Sequence, residues 1–173
     1  MKFNYYAFRA MYLHEMDRFK RTLMQSLFSP VLSTSLYFIV FGSVIGGYVE
    51  KIDGISYGSF IVPGLLMLTL LTQSISNTSF GIFFPKFNGT MYEILAAPIS
   101  TFEIVLAFVG AGATKTLLVG VVIFITATFF VEVQVMYPLL MIFLLVLVAF
   151  TFALFGFLIG LMSSNFEQMS IVP

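Results

Sequence analysis

The chain has 173 residues, of which 60% are hydrophobic and only 9% are charged. A soluble domain has roughly 45 to 50% apolar and about 25% charged residues, so the composition predicts a membrane protein. Eight basic and eight acidic residues cancel and cysteine is absent, which argues against attraction of nucleic acid by net charge and excludes disulfides and thiol nucleophiles.

The N-terminal region combines a helical pattern of apolar residues with scattered charges. Residues recurring at steps of three and four form one helical stripe: Tyr5, Phe8, Tyr12, Met16, Phe19 and Leu23. The opposite face carries His14, Asp17, Arg18 and Arg21. This pattern favours an amphipathic helix over residues 3–24 that lies in the membrane interface. A helix packed against a soluble partner is the alternative.

Four later windows are long and apolar enough to cross a bilayer, which takes about 20 residues. They are residues 31–48, 59–84, 104–131 and 139–162. The connections between them are short, and a lipid environment favours helices whose backbone hydrogen bonds are satisfied internally. The expected fold is therefore all-α, a polytopic transmembrane helical bundle.

The basic residues predict the orientation of this bundle. One side holds Lys2, Arg9, Arg18, Lys20, Arg21 and Lys86, and the other side holds Lys51. Short cytoplasmic segments carry the excess of Lys and Arg in membrane proteins. We therefore expect the N-terminus and residues 88–100 to be cytoplasmic.

The second predicted span contains the polar run TQSISNTS, which includes Gln73 and Asn77. Three interpretations stay open: a water-exposed pathway lining, hydrogen bonds between helices, or emergence of the helix into the headgroups.

Lys115 lies near the middle of the third predicted span, where a charge costs roughly 2.5 to 3.5 kcal/mol on the mildest insertion scale. No acidic residue falls within the four predicted spans. Its expected partner is therefore a carbonyl, a hydroxyl such as that of Thr114 or Thr116, a second chain or a missing part of the molecule. A structural, hydrogen-bonded lysine is favoured over a role in substrate passage.

Small residues recur at spacings of four in three of the predicted spans. They are Gly42 and Gly46, then Gly112, Thr116 and Gly120, then Gly156 and Gly160. Such spacing lets helix backbones approach closely, and we expect packing within the chain for most of them.

Residues 88–100 predict a short helix between the second and third spans. Thr90 and Glu93 have the spacing of a capping box, and Ser100 and Glu103 repeat it. Pro98 disfavours the helical state of the residue before it, so the helix should end there.

The side chains of this short helix predict an apolar face. Met91, Ile94 and Leu95 fall on one side at helical spacing, and Ile99 with Ile104 forms a hydrophobic staple at the start of the third span. The helix could pack against lipid and its neighbouring spans, or dock on another protein.

Catalytic chemistry has little support in this sequence. There is no paired intramembrane carboxylate, no histidine within a predicted span and no phosphate-binding glycine loop. We therefore expect neither an enzyme nor a bound metal or cofactor, and any use of ATP should fall to another chain.

Three stretches carry a resemblance to a known family: FIVPGLLMLTLL at 60–71, FEQMSIVP at 166–173, and the residues Gly89-Thr90, Glu93-Ile94-Leu95 and Pro98-Ile99-Ser100. With these residues the chain resembles the permease subunits of type-2 ABC exporters of the bacterial cytoplasmic (inner) membrane. The likeness covers essentially the whole chain.

The resemblance implies a six-span permease that forms a dimer and docks on two ABC ATPase subunits through a coupling helix at 88–100. It assigns ATPase contact to Gly89, Thr90, Glu93, Ile94, Leu95 and Pro98. Only four of six expected spans are present, so we expect a truncated product or fragment in which 163–173 approaches a missing fifth span. A small membrane scaffold or assembly subunit is the alternative function, and the substrate stays open.

Overall fold

The computed structural model describes residues 3–45, 51–52, 55–133 and 135–170. In chain order its helical elements are α1 (Tyr5–Arg21), α2 (Leu23–Tyr37), a π-helical segment (Phe38–Ile45), α3 (Tyr57–Phe87), α4 (Met91–Ala96), α5 (Thr101–Phe130), α6 (Pro138–Met162) and α7 (Phe166–Ser170). Before α3, the two-residue strands β1 (Lys51–Ile52) and β2 (Ile55–Ser56) pair antiparallel.

Within the described part of the chain, four helical stretches have the length and composition to cross a membrane: Leu23–Phe41, Tyr57–Phe87, Thr101–Phe130 and Pro138–Met162. This confirms the predicted polytopic helical bundle.

The first of these stretches begins before Pro30, whereas the sequence indicated a span over 31–48. Helix α2 continues through Pro30, and the hydroxyl of Thr34 donates to the Pro30 carbonyl over 2.7 Å. Residues 46–48 of the predicted span, including Gly46, lie outside the described residues.

Helices α3, α5 and α6 form the centre of the bundle. Ser74 of α3 donates to the Ala149 carbonyl of α6 over 2.6 Å, and further along both helices Lys86 reaches the Leu161 carbonyl over 2.7 Å. Residue numbers rise together along this interface, so α3 and α6 are parallel. The main core cluster joins all three helices: Ile82, Ile104, Phe108, Val109, Ala113, Ala149, Ala153 and Phe157.

Glycines bring the backbones of α3 and α6 together. A Cβ atom at Gly156 would lie 2.5 Å from the Ile75 carbonyl oxygen, and one at Gly160 would lie 2.5 Å from the Ser79 carbonyl oxygen. Gly112 and Gly120 of α5 face side chains of α3 in the same way. The predicted packing within the chain is therefore confirmed for these four glycines.

Helix α1 lies along the first half of α5. The Asn4 backbone amide donates to Glu103, and about two turns later in α1 the Tyr12 hydroxyl donates to Thr114 over 2.9 Å. Because the residue numbers again rise together, α1 and α5 are parallel.

The apolar stripe predicted for α1 is only partly correct. Phe19 is buried, but Tyr5 is 57% exposed, and Glu15, which is not in the stripe, is buried. Relative to the predicted stripe, α1 is rotated about its own axis because it packs on a polar position of α5. Its placement in the membrane interface stays a prediction.

The end of α6 is capped by a lysine of α3, and α7 packs on α3. The Lys86 ammonium donates to the carbonyls of Leu161 and Ser163 over 2.7 and 2.8 Å, which satisfies acceptors that a helix C-terminus leaves free. In α7, the Phe166 ring packs edge-on against Phe83 and Phe87 of α3. Residues 171–173 lie outside the described residues.

The glycine contact predicts a sharp difference between two alanine substitutions. We expect Gly156→Ala to destabilise the bundle by about 1 to 3 kcal/mol, because the added methyl meets backbone atoms that cannot move aside. Gly64→Ala is the matched control, since a Cβ atom there has nothing within 4 Å. Thermal unfolding in detergent measures both, and equal melting temperatures would contradict the packing.

Candidate functional site

A buried ion cluster lies between α1 and α5. The Lys115 ammonium and the Arg18 guanidinium both contact the same oxygen of Glu15, Oε2, over 2.8 and 2.7 Å. The Lys115 and Glu15 side chains are each 4% exposed, and that of Arg18 is 26% exposed. Charges so far from water need partners, and here two cations share one carboxylate.

This cluster corrects the predicted surroundings of Lys115. The sequence predicted a carbonyl, a nearby hydroxyl, a second chain or the missing part of the molecule as its partner, because no acid lies in the predicted spans. The partner is Glu15 of α1, a helix that was predicted to lie in the membrane interface. Arg18, predicted on the solvated face, belongs to the same cluster. The sequence contained one indication of this contact, because Glu15 falls beside the apolar stripe of α1.

A cavity of about 460 Å³ adjoins the ion cluster. Its walls come from α1, the start of α2, α3, α5 and α7. The lining residues are Arg18, Phe19, Thr22, Gln25, Ser26, Ser76, Asn77, Ser79, Phe80, Lys115 and Met169. Two of the predicted intramembrane polar residues, Asn77 and Lys115, thus meet at one cavity. Gln73 is near it and accepts a hydrogen bond from Asn77 over 3.4 Å.

The polar run of α3 divides between two environments. Ser74 makes the hydrogen bond to α6 that one interpretation anticipated, while Ser76, Asn77 and Ser79 line the cavity. Interhelical hydrogen bonding and cavity lining therefore occupy different positions of the same run.

The connection from α3 to α5 turns at Gly89, whose φ of 80° lies in the left-handed region that favours glycine. Helix α4 then begins at Met91, but the first predicted capping box is wrong. Thr90 has φ −61° and ψ −20°, a helical conformation, and its side chain makes no capping hydrogen bond. A capping residue normally has an extended backbone, which aims its side chain at the first free amides.

The end of the connection agrees with prediction. Ala97 before Pro98 is extended, with ψ of 152°, and the second capping box is present. Ser100 accepts from the Glu103 amide over 3.3 Å, and Glu103 accepts from the Ser100 amide over 2.8 Å.

The predicted apolar side of α4 is divided between the two faces of the helix. Met91 and Ile94 pack against the main core cluster, whereas Leu95 is 63% and Tyr92 is 78% exposed. Glu93 is exposed as well. The outer face of α4 therefore combines apolar groups with a carboxylate, and the inner face anchors the helix.

Glu103 also joins this connection to the N-terminus. Besides its role in the capping box, its carboxylate accepts from the Asn4 backbone amide. One side chain thus links the start of α5 with the start of α1, a role that sequence spacing did not reveal because the two residues are 99 positions apart.

Comparison with known proteins assigns this architecture to a family. A family model described as ABC-2 type transporter matches residues 6–173. The chain belongs to the ABC-2 type transporter family. The match to nearly all of the chain confirms the resemblance found in the sequence, and with four helices of membrane length the chain is a multi-pass membrane protein.

Curated relatives with this similarity are named inner membrane transport permease YadH. Those from Escherichia coli strain K12, Escherichia coli O157:H7 and Shigella flexneri are each 37% identical over 167 residues, which is 96% of this chain and 65% of the relative. The chain therefore spans just under two thirds of their length. No solved structure matches the chain significantly.

The described side chains form no candidate metal site. No group of three or more His, Asp or Glu residues in that part of the chain could hold a metal ion.

The shared carboxylate predicts that Glu15→Gln will destabilise the protein strongly, by about 3 to 5 kcal/mol, because two buried or half-buried cations lose their counter-charge. Asp17→Asn is the control on the same helix, since Asp17 forms an exposed pair with Lys20 and exposed pairs contribute little. Thermal unfolding in detergent measures the melting temperatures of both variants. Equal melting temperatures for Glu15→Gln and Asp17→Asn would disprove a structural role for the cluster.

Proposed function

We propose that this chain belongs to the membrane-spanning permease of an ATP-driven exporter in a bacterial inner membrane. We further propose that residues 88–100 dock on a separate ABC ATPase. The family and the permease name of the relatives support the transport role. In this proposal the N-terminus and residues 88–100 face the cytoplasm, two copies of the permease form the substrate pathway, and each binds one ATPase subunit.

The observation that carries this proposal is the two-sided character of α4. Its outer face offers Tyr92, Glu93 and Leu95 to a partner, while Met91 and Ile94 hold the helix to the core. An exposed aromatic and aliphatic pair beside a charge suits a protein interface, where apolar contact supplies affinity and charge supplies specificity. Thr90 and Pro98 are exposed at the two ends of this surface.

Because α4 is attached to the core, it would transmit a movement of the bound ATPase to the helical bundle. Pro98 and the capping box fix the angle between α4 and α5, and Glu103 also holds the start of α1. A displacement of α4 would therefore move α1 and α5 together. ATP binding would favour one arrangement of the permease dimer and nucleotide release the other.

The polar groups inside the bundle have a place in this mechanism. Gln73, Asn77 and Lys115 lie on or beside the cavity between α1, α2, α3, α5 and α7. If α1 and α5 move with α4, these groups are the ones whose surroundings change, and they are our candidates for the polar part of the pathway.

Charge reversal on α4 tests the docking surface. In the full-length permease, Glu93→Lys should reduce ATPase co-purification and lower export at least about tenfold, because a repulsive charge within an interface costs several kcal/mol. Glu132→Lys is the control, an exposed charge reversal at the opposite end of α5. Insertion into the membrane should be unchanged in both.

A second substitution tests the turn that presents α4. Gly89→Trp should also uncouple ATP hydrolysis from export, because a left-handed backbone costs a residue with a side chain about 1 to 2 kcal/mol and the turn would rearrange. Unaltered export in both Glu93→Lys and Gly89→Trp would refute docking through α4. An ATPase whose hydrolysis rate ignores the permease would favour the scaffold or assembly role instead.

A further inference from the structure

The cavity beside the ion cluster has an excess of positive charge. Arg18 and Lys115 are both on its wall, and the single negative charge of the Glu15 carboxylate compensates only one of these two positive charges. None of the side chains that line the cavity in the described part of the chain is acidic. Since a desolvated charge is costly without a partner, the excess positive charge at this wall favours the binding of a further anion.

Both cations keep hydrogen-bond donors beyond those that Glu15 uses. Lysine has three N–H donors and arginine has five, and the ion pairs engage Lys115 Nζ and one terminal nitrogen of Arg18. The Arg18 guanidinium also lies over the Phe80 ring, 5.5 Å from its centroid, which limits its freedom to turn away. Its planar group is thus held at the cavity wall.

Neutral polar groups complete the lining. Asn77, Ser76 and Gln25 bring amides and a hydroxyl to the same space. An anion with several acceptor oxygens can use donors from different helices at once, and arginine together with lysine is the usual pair for phosphate.

We propose that this cavity binds a phosphate-type oxyanion between Arg18 and Lys115. Its volume of about 460 Å³ falls within the roughly 300 to 1,000 Å³ of ligand pockets. Phe19, Phe80 and Met169 give the remaining wall an apolar character, which suits an esterified phosphate with a carbon substituent as well as the free ion. The headgroup of an anionic lipid and a soluble phosphate share this chemistry.

The purified chain in detergent, without any ATPase, tests binding separately from the proposed function. Inorganic phosphate is titrated at constant ionic strength against chloride, and in a second arm phosphatidic acid is added to the micelles against phosphatidylcholine. We expect the melting temperature to rise with phosphate, with phosphatidic acid or with both. A response to phosphatidic acid alone assigns the site to a lipid headgroup, and a response to inorganic phosphate assigns it to the phosphate group itself.

Two variants identify the site. Arg18→Gln keeps the pair of Glu15 with Lys115 and should weaken the apparent affinity about tenfold or more, the usual consequence of losing a hydrogen bond to a charged group. Arg21→Gln is the control, because Arg21 is exposed on the same helix and does not line the cavity. Asn77→Leu, which leaves the ion cluster intact and fills part of the cavity, should weaken binding as well.

Three results would overturn the proposal. The first is a wild-type chain that responds to neither ligand, which would mean that the cavity holds water only. The second is an equal loss in Arg18→Gln and Arg21→Gln, which would indicate unspecific attraction. The third is full binding by Asn77→Leu, which would place the anion elsewhere even if Arg18→Gln failed to fold.

Discussion

The contact of Glu15 with Lys115 and Arg18 determines how the N-terminal part of this protein is arranged. A lysine in the middle of a membrane-length helix needs a counter-charge, and the chain supplies it from a helix 100 residues earlier. To deliver that carboxylate, α1 must lie along α5 and bury a face that contains polar residues. Arg18 and Thr22, at the end of α1, line the cavity beside α3.

The rest of the bundle is held by a different kind of contact. Gly156 and Gly160 let α6 approach the backbone of α3, and the hydrogen bond from Ser74 and the lysine cap on α6 add polar contacts along the same interface. Close packing of this kind is the main source of helix association in lipid, where burial of apolar surface gives little advantage. Helices α3 and α6 therefore form a closely packed pair, while α1 adds an ion pair and hydrogen bonds to its apolar packing on α5 and the core.

These two kinds of contact meet at the connection between α3 and α5. Helix α4 is anchored to the core by Met91 and Ile94, and the Glu103 carboxylate connects its exit to both α5 and α1. In the proposed mechanism, a partner that pushed on the exposed side of α4 would act on the core directly and on α1 and α5 through Glu103. The ion cluster and its cavity adjoin α1 and α5, so the proposed docking surface and the proposed anion site share these two helices.

The sequence by itself determined the membrane class, the helical bundle, the close-packing glycines and the second capping box, because each depends on composition or on residues within four positions of one another. It did not predict the partner of Lys115, the buried face of α1 or the link from Asn4 to Glu103. It also gave the wrong cap at Thr90 and placed Leu95 with Met91, since the turn at Gly89 and the core beneath α4 decide which side of that short helix is covered. Only the tertiary structure decided these features, because an ion pair between distant helices depends on how the helices pack, and spacing along the chain carries no information about that distance.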